Sequence, residues 1–324
     1  MTRLRATLIG FGAVLLWALL AVLTVRTAPV PPLLHNALTF GIAALVGLAW
    51  GGATRSLGEL RRIPWGVHAF GVAGLFGYHL LYFSAMRLAP PAEAGLIAYL
   101  WPLFIVLLSG LLPGERLRRG HLAGGALAFG GVAMIVLGRG GGAGPAPNPG
   151  LGFVLAFGCA MTWAVYSVVS RQLGRWPTVG VTVSCAGTAA LSLAAHLLLE
   201  ETLWPASAGG WLAVALLGLG PVGLAFFLWD VGVKRGDIQL LGVASYAAPL
   251  LSTLALVAGG AAEATWGLGV AALLVAGGAA LAAWPGRRPP RAIPAEPRRP
   301  GTPGGPGQQS RAEGFAALRA RRGA

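Results

Sequence analysis

Residues 98–104 read AYLWPLF and residues 245–251 read SYAAPLL, and in both a Tyr-x-x-Pro sits inside a long apolar run. Proline has no N–H to donate and crowds the carbonyl four residues earlier, Ala98 for Pro102 and Ser245 for Pro249. A hydrocarbon environment tolerates such a break only where neighbours or a cavity satisfy the freed backbone groups. The two copies lie 147 residues apart. A second pair of matches, Phe11-Gly12-x4-Trp17-Ala18 with Phe157-Gly158-x4-Trp163-Ala164, is offset by 146, as are Gly77 and Gly223. A nearly constant offset with conserved order along the chain indicates an internal duplication.

The rest of the sequence says what is duplicated. Of 324 residues 56% are hydrophobic and 10% charged, and the mean hydropathy is +0.71, which is a membrane composition. Apolar runs of about 20 residues, long enough for a roughly 30 Å hydrocarbon core, are predicted at 6–26, 33–50, 65–86, 91–112, 120–138, 151–171, 178–199, 209–231, 237–259 and 266–284. The run after MTRLR is too long for a signal-peptide core and has no A-x-A site, so it reads as a retained span. Five spans per half is an odd number, which turns the second half over relative to the first, the plan of inverted-repeat transporters. The expected fold is therefore an all-α integral membrane protein, ten transmembrane helices forming two inverted five-helix repeats around a central cavity. Residues 1–138 are the first repeat, 139–150 a Gly/Pro-rich outer linker, 151–284 the second repeat, and 285–324 a Pro/Arg-rich tail expected to be disordered and cytoplasmic.

The formal net charge of +14 would suggest nucleic acid in a soluble protein, but its distribution points elsewhere. With the N-terminus inside, twelve of the 24 Lys and Arg residues fall in inner segments, three in outer ones and nine in the tail. That bias places both termini in the cytoplasm. Cys159 and Cys185 lie within spans and lack a CxxC or His partner pattern, so they read as small core side chains. No cofactor and no metal site is expected.

Eleven tryptophans divide by depth. Trp50, Trp65, Trp176, Trp204, Trp211, Trp229, Trp266 and Trp284 fall in connectors or near span ends, as an interfacial belt requires. Trp17, Trp101 and Trp163 are central, as are Tyr99 and Tyr246, with Tyr78 and Tyr82 nearby on one helical face. Each buried N–H or O–H needs a partner in a helix, a wet cavity or a ligand. His79 either bonds a neighbouring carbonyl or meets a substrate carboxylate or a proton. Trp101 breaks the internal symmetry, since its counterpart is Ala248. On an ideal helix it points about 160° from Tyr99, so both reach one cavity only if the helix is distorted or the cavity broad. No carboxylate is predicted at mid-depth, so uncoupled, gradient-driven movement fits at least as well as proton antiport.

The ten-span plan, the half-repeats and the segments GERLRRGHLAGGALAFGGVAMI, TLIGFGAVLLWALLAVLT, AYLWPL, WAVYSVVSR and WDVGVKRGDIQLLGVASYAAPLLST resemble the EamA branch of the drug/metabolite transporter superfamily, and within it the bacterial aromatic amino acid exporter subgroup. The resemblance covers about residues 4–284 and leaves out the tail. It implies a ten-helix basket in the bacterial inner membrane that exports aromatic and other apolar amino acids by alternating access. Trp17, Tyr78, His79, Tyr82, Tyr99, Trp101 and Trp163 match the subgroup's cavity positions. Tyr246 is added from the repeat, with Pro102 and Pro249 as helix bends or hinges. The expected partners are an amino acid substrate and the lipid bilayer, with neither nucleic acid nor an obligate protein partner. Lipophilic cations or other metabolites are an alternative cargo, and a receptor or scaffold without transport stays open. An enzyme is not expected, because the five histidines are dispersed and no HExxH pattern, Ser-centred motif or paired intramembrane carboxylates occur.

Overall fold

A computed structural model of the chain describes residues 1–138, 146–174, 176–258 and 265–284, and within them both Tyr-x-x-Pro segments fall at breaks between helices. The expected linker falls largely on 139–145, and the tail on 285–324; both lie outside the described residues. The elements are α1 (Arg3–Trp17), α2 (Leu20–Val25), α3 (Pro32–Ala53), α4 (Trp65–Leu88), α5 (Pro91–Ala98), α6 (Trp101–Ser109), α7 (Arg119–Gly138), α8 (Pro149–Gln172), α9 (Val181–Leu199), α10 (Ala208–Leu219), α11 (Ala225–Arg235), α12 (Ile238–Ala244), α13 (Ala247–Ala258) and α14 (Trp266–Ala283). No strand occurs among the described residues. Eight helical stretches there are long and apolar enough to cross a membrane, and Glu93–Ser109 is a shorter apolar one.

Local chemistry sets the helix starts. Side-chain oxygens of Thr2, Asn148, Ser207, Asp237 and Thr265 accept a backbone N–H three residues on, at 3.0–3.3 Å, satisfying donors that a helix N-terminus leaves over. Pro149 follows its cap Asn148 at the first helical position, where a missing N–H costs nothing. Helix α8 therefore begins at Pro149, so the last two residues of the expected linker are helical.

The same logic places the breaks. Pro102 is in the first turn of α6 and Pro249 in the first turn of α13. Each chain stops its preceding helix before the proline rather than bending through it, with turns at Tyr99–Leu100 and Ser245–Tyr246. The Ser245 carbonyl is not left free as the sequence suggests: it accepts from Ala248 N at 3.1 Å. Two further interruptions occur, at Ala18–Leu19 between α1 and α2, and in a π-helical turn at Gly220–Leu224 between α10 and α11.

The main helix pairs are α3 with α9, α7 with α14, α1 with α11 and α4 with α8. When the halves are exchanged at the sequence offset, the first two pairs map onto themselves and the last two onto each other. Lipid tails are as apolar as leucine, so such pairs depend on close packing. Glycine supplies it: Gly124 and Gly278 bring α7 and α14 into backbone contact, and a Cβ on Gly10 of α1 would lie 2.8 Å from the Cα of Gly232 in α11.

The two ends of the bundle can be named by their charges. At the Glu200 end lie Val25, Pro32, Leu88, Pro91 and Leu199; at the Arg3 end lie Glu115, Arg171 and Asp237. Cys159 and Cys185 are buried free thiols.

Candidate functional site

A cavity of about 370 Å³ occupies the centre of the helices and extends toward the Glu200 end, a volume within the ~300–1,000 Å³ of small-molecule sites. The helix breaks supply much of its wall. Trp17 ends α1, Tyr99 follows α5, Trp101 opens α6, Pro221 and Val222 belong to the π turn, and Pro249 opens α13. Tyr78, His79 and Tyr82 come from α4 and Trp163 from α8. The turn at Tyr99–Leu100 supplies the distortion that lets Tyr99 and Trp101 face one space.

Seven of the eight aromatic or histidine positions singled out from the sequence thus share this wall. Tyr246 does not. It is fully buried in a separate apolar cluster, its ring 6.1 Å from that of Phe129 on α7. The repeat puts Tyr246 in register with Tyr99, but the neighbouring helix, not the cavity, receives it. Pro102 is buried off the wall, whereas Pro249 is on it.

The floor of the cavity is a tryptophan cluster. Trp17 lies edge-on to Trp101 at 6.1 Å and to Trp163 at 5.8 Å, separations at which aromatic quadrupoles attract. Trp229 completes it, with centroids 5.1 Å from Trp17 and 5.8 Å from Trp101. Its assignment to the interfacial belt is therefore wrong. Trp229 is 1% exposed, and its N–H donates to Ser167 Oγ at 3.1 Å. The error has a simple cause: α11 runs on to Arg235, so a residue near the end of the expected span 209–231 lies well inside the helix. Trp17 donates to the Pro221 carbonyl at 3.0 Å, filling an acceptor in the π turn. Phe226 stacks on Phe40 at 5.3 Å and meets Trp163 at 5.7 Å.

Polar groups are few. Among the described lining residues there is no Asp, Glu, Lys or Arg, and the ionisable rings besides the tyrosines are His35 and His79. His79 Nδ1 lies 2.7 Å from the Leu75 carbonyl. Asn36, Thr39 and Ser252 also line the wall. Asn36 and Thr39 were not foreseen, although a polar pair three residues apart in an apolar run was their available signal. Phe226 and Pro221 carried no comparable one.

Charges collect at the two ends instead. Glu200, one residue beyond the expected span 178–199, has a side chain 3% exposed. It accepts from the Leu33 and Leu34 N–H groups at 3.0–3.2 Å, capping α3 from another helix, and pairs with Arg87 and His196. Burial alone would raise its carboxyl pKa, but the hydrogen bonds from His196, Leu33, Arg87 and Leu34 outweigh it and hold the group below the usual value. At the other end Glu115 is bracketed by Arg171 and Arg3, and Arg171 also donates to the Val233 and Gly236 carbonyls at 2.8 and 2.9 Å. Asp230 and Lys234 form a buried pair at 2.9 Å on one face of α11.

Comparison with known proteins assigns this architecture. Residues 4–137 and 150–284 each match the model of the EamA-like transporter family. The chain is 54% identical over 275 residues to the aromatic amino acid exporter YddG of Ancylobacter novellus, covering 85% of this chain and 95% of that relative. It is 28% identical over 271 residues to the protein of the same name from Salmonella typhimurium, covering 78% and 88%. A solved crystal structure at 53% identity superposes with a TM-score of 0.83, covering 87% of this chain and 98% of that one.

Proposed function

We propose, from the premise that this chain belongs to the EamA-like transporter family, that it exports aromatic and other apolar amino acids across the bacterial inner membrane by alternating access. The observation that carries the reading is the cavity wall. Trp17, Tyr78, Tyr82, Tyr99, Trp101 and Trp163 surround a space of small-molecule size with no carboxylate, lysine or arginine among its described lining residues. Such a wall suits an aromatic or aliphatic side chain by area and by edge-to-face contact. The absence of a lining carboxylate removes the usual counter-charge for a lipophilic cation and the usual proton relay, so downhill, uncoupled export is the simplest mechanism. No chemical step is assigned to the cavity.

The ten-helix, two-fold plan enters this reading too. The eight long stretches, together with the interrupted α5–α6 pair and the 20-residue α7, make ten crossings. Helix pairs that survive exchange of the halves support an inverted relation between them. With both termini cytoplasmic, as the charge bias argues, the Glu200 end faces out and the cavity is open to that side. Transport then requires closure there and separation at the Arg3 end. Pro102 and Pro249, at the starts of half-helices, are suited to act as hinges.

The test is counterflow of labelled phenylalanine in proteoliposomes. Trp101→Ala is expected to raise the half-saturating concentration several-fold, since the ring has no counterpart in the second half to replace it. Unchanged counterflow would remove the stacking role. Competition with a cationic dye separates the amino acid reading from the lipophilic-cation one.

A further inference from the structure

We infer that the α3–α4 side of the cavity is a wall of hydrogen-bond acceptors that receives the substrate's ammonium group, with Ser192 on α9 as the positioning residue. The inference rests on the amino acid reading and adds the polarity with which the substrate lies. Of the polar side chains on that side, which include His35 and the Tyr78 and Tyr82 hydroxyls, three have a donor committed elsewhere. Asn36 Nδ2 donates to Ser192 Oγ at 2.7 Å, which turns the amide so that its oxygen remains for the cavity. The Thr39 hydroxyl donates to the His35 carbonyl at 2.9 Å, with the Asn36 carbonyl at 3.3 Å, leaving its oxygen lone pair. His79 Nδ1 faces the Leu75 carbonyl at 2.7 Å. A carbonyl only accepts, so Nδ1 carries the proton and Nε2 of the neutral ring is an acceptor.

These groups lie near one another. Asn36, Thr39 and Phe40 share one face of α3 by helical spacing, and the Phe40 ring meets the His79 ring at 5.0 Å. A carboxylate brought to the Asn36 amide oxygen, the Thr39 hydroxyl oxygen and His79 Nε2 would face oxygen and nitrogen lone pairs. An ammonium offers three donors to the same atoms. The complementary group is across the cavity on α13. There the Ser252 hydroxyl is buried without a partner and lines the space, so it can donate to a carboxylate. His79, for which the sequence left a carboxylate contact open, thus belongs with the ammonium.

Binding is measured first, independently of transport, from the intrinsic tryptophan fluorescence of the full chain in lipid nanodiscs. The probes are phenethylamine, which keeps the ammonium and ring, and 3-phenylpropionate, which keeps the carboxylate and ring. Phenethylamine is expected to half-saturate at a concentration about tenfold lower, the scale of one charge-assisted hydrogen bond gained or lost. Equal affinity, a preference for 3-phenylpropionate, or no binding of either overturns the inference. Ser192→Ala should bring the ratio of the two affinities toward one, and Ser192→Thr should restore it; a merely structural role would weaken both probes alike. Should Ser192→Ala fold poorly, Thr39→Val, of similar shape, should lower the same ratio, and an unchanged ratio counts against the acceptor wall. Phenylalanine counterflow in proteoliposomes is scored separately. If phenethylamine binds selectively while phenylalanine does not exchange, the export reading falls and the acceptor wall stands.

Discussion

The indole N–H of Trp17 donates to the backbone carbonyl of Pro221 at 3.0 Å, joining the break between α1 and α2 to the π turn between α10 and α11. Two interruptions on paired helices are thereby tied by one bond, and both face the cavity. Trp17→Phe keeps a ring against Trp101, Trp163 and Trp229 but strands the carbonyl. It is expected to lower stability by about 1–3 kcal/mol, the cost of an unmet buried polar group, read from thermal unfolding in detergent.

Gly10 and Gly232 predict a sharper effect. A Cβ at Gly232 would lie 2.5 Å from Gly10 Cα, and one at Gly10 2.8 Å from Gly232 Cα, so neither backbone can yield locally. Gly10→Ala and Gly232→Ala should each lower stability by about 1–3 kcal/mol through overpacking. Gly41→Ala, with nothing within 4 Å of the new methyl, serves as the control and should leave the unfolding midpoint unchanged or slightly raised.

Glu200 makes stability depend on acidity. Its folded carboxyl lies below the usual 4.5, so the ionised form is the one the fold favours. That contribution is complete above the unfolded value and is lost as pH falls through the lower folded value. Unfolding midpoints followed downward from neutral pH should therefore fall on the acid side below 4.5. Glu200→Gln should cost about 2 kcal/mol at neutral pH and flatten that acid limb.

Arg171 and Arg3 both reach Glu115 but should not matter equally. The Arg171 side chain is 17% exposed and Arg3 51%. Arg171→Ala leaves two carbonyls unmet and the buried Glu115 carboxylate with only the exposed Arg3, for an expected loss of about 3 kcal/mol. Arg3→Ala removes a solvated partner, worth about 1 kcal/mol or less. Equal losses in chemical or thermal unfolding would mean that the network is shared differently.

The sequence carried the architecture because lipid imposes strict rules on it. Apolar length marks helices able to cross, and a proline that recurs with its tyrosine in both halves points to an interruption, as Pro102 and Pro249 do. The interruption at Ala18–Leu19 and the π turn at Gly220–Leu224 were not legible. The first has no proline and the second has one near mid-span beside two glycines, a composition common in membrane helices. Seven of the cavity positions could be anticipated because a polar-tipped aromatic is costly at mid-depth unless something receives it. Tyr246 is buried elsewhere, beside Phe129 of α7, which only packing could reveal. Trp229 was misplaced by a helix longer than its apolar stretch. Asn36 and Thr39 escaped notice because a small polar side chain within a span is commonly spent on interhelical bonding, as Asn36 indeed is with Ser192.

The glycine seam between α1 and α11 also bears on which conformer the protein prefers. At the offset of 146, Gly10 corresponds to Ala156 on α8, and Gly232 to Met86 on α4. The seam near the Arg3 end is thus made of bare backbone, and its counterpart near the Glu200 end carries a methyl and a thioether. Helices α4 and α8 are nonetheless packed at that end, with Ala156 fully buried in a cluster with Ala85 and Ala89. On the alternating-access reading, opening the Arg3 end must part the backbone contact that Gly10 and Gly232 make possible. The equilibrium between outward-open and inward-open forms is then set partly by two glycines that line no part of the cavity.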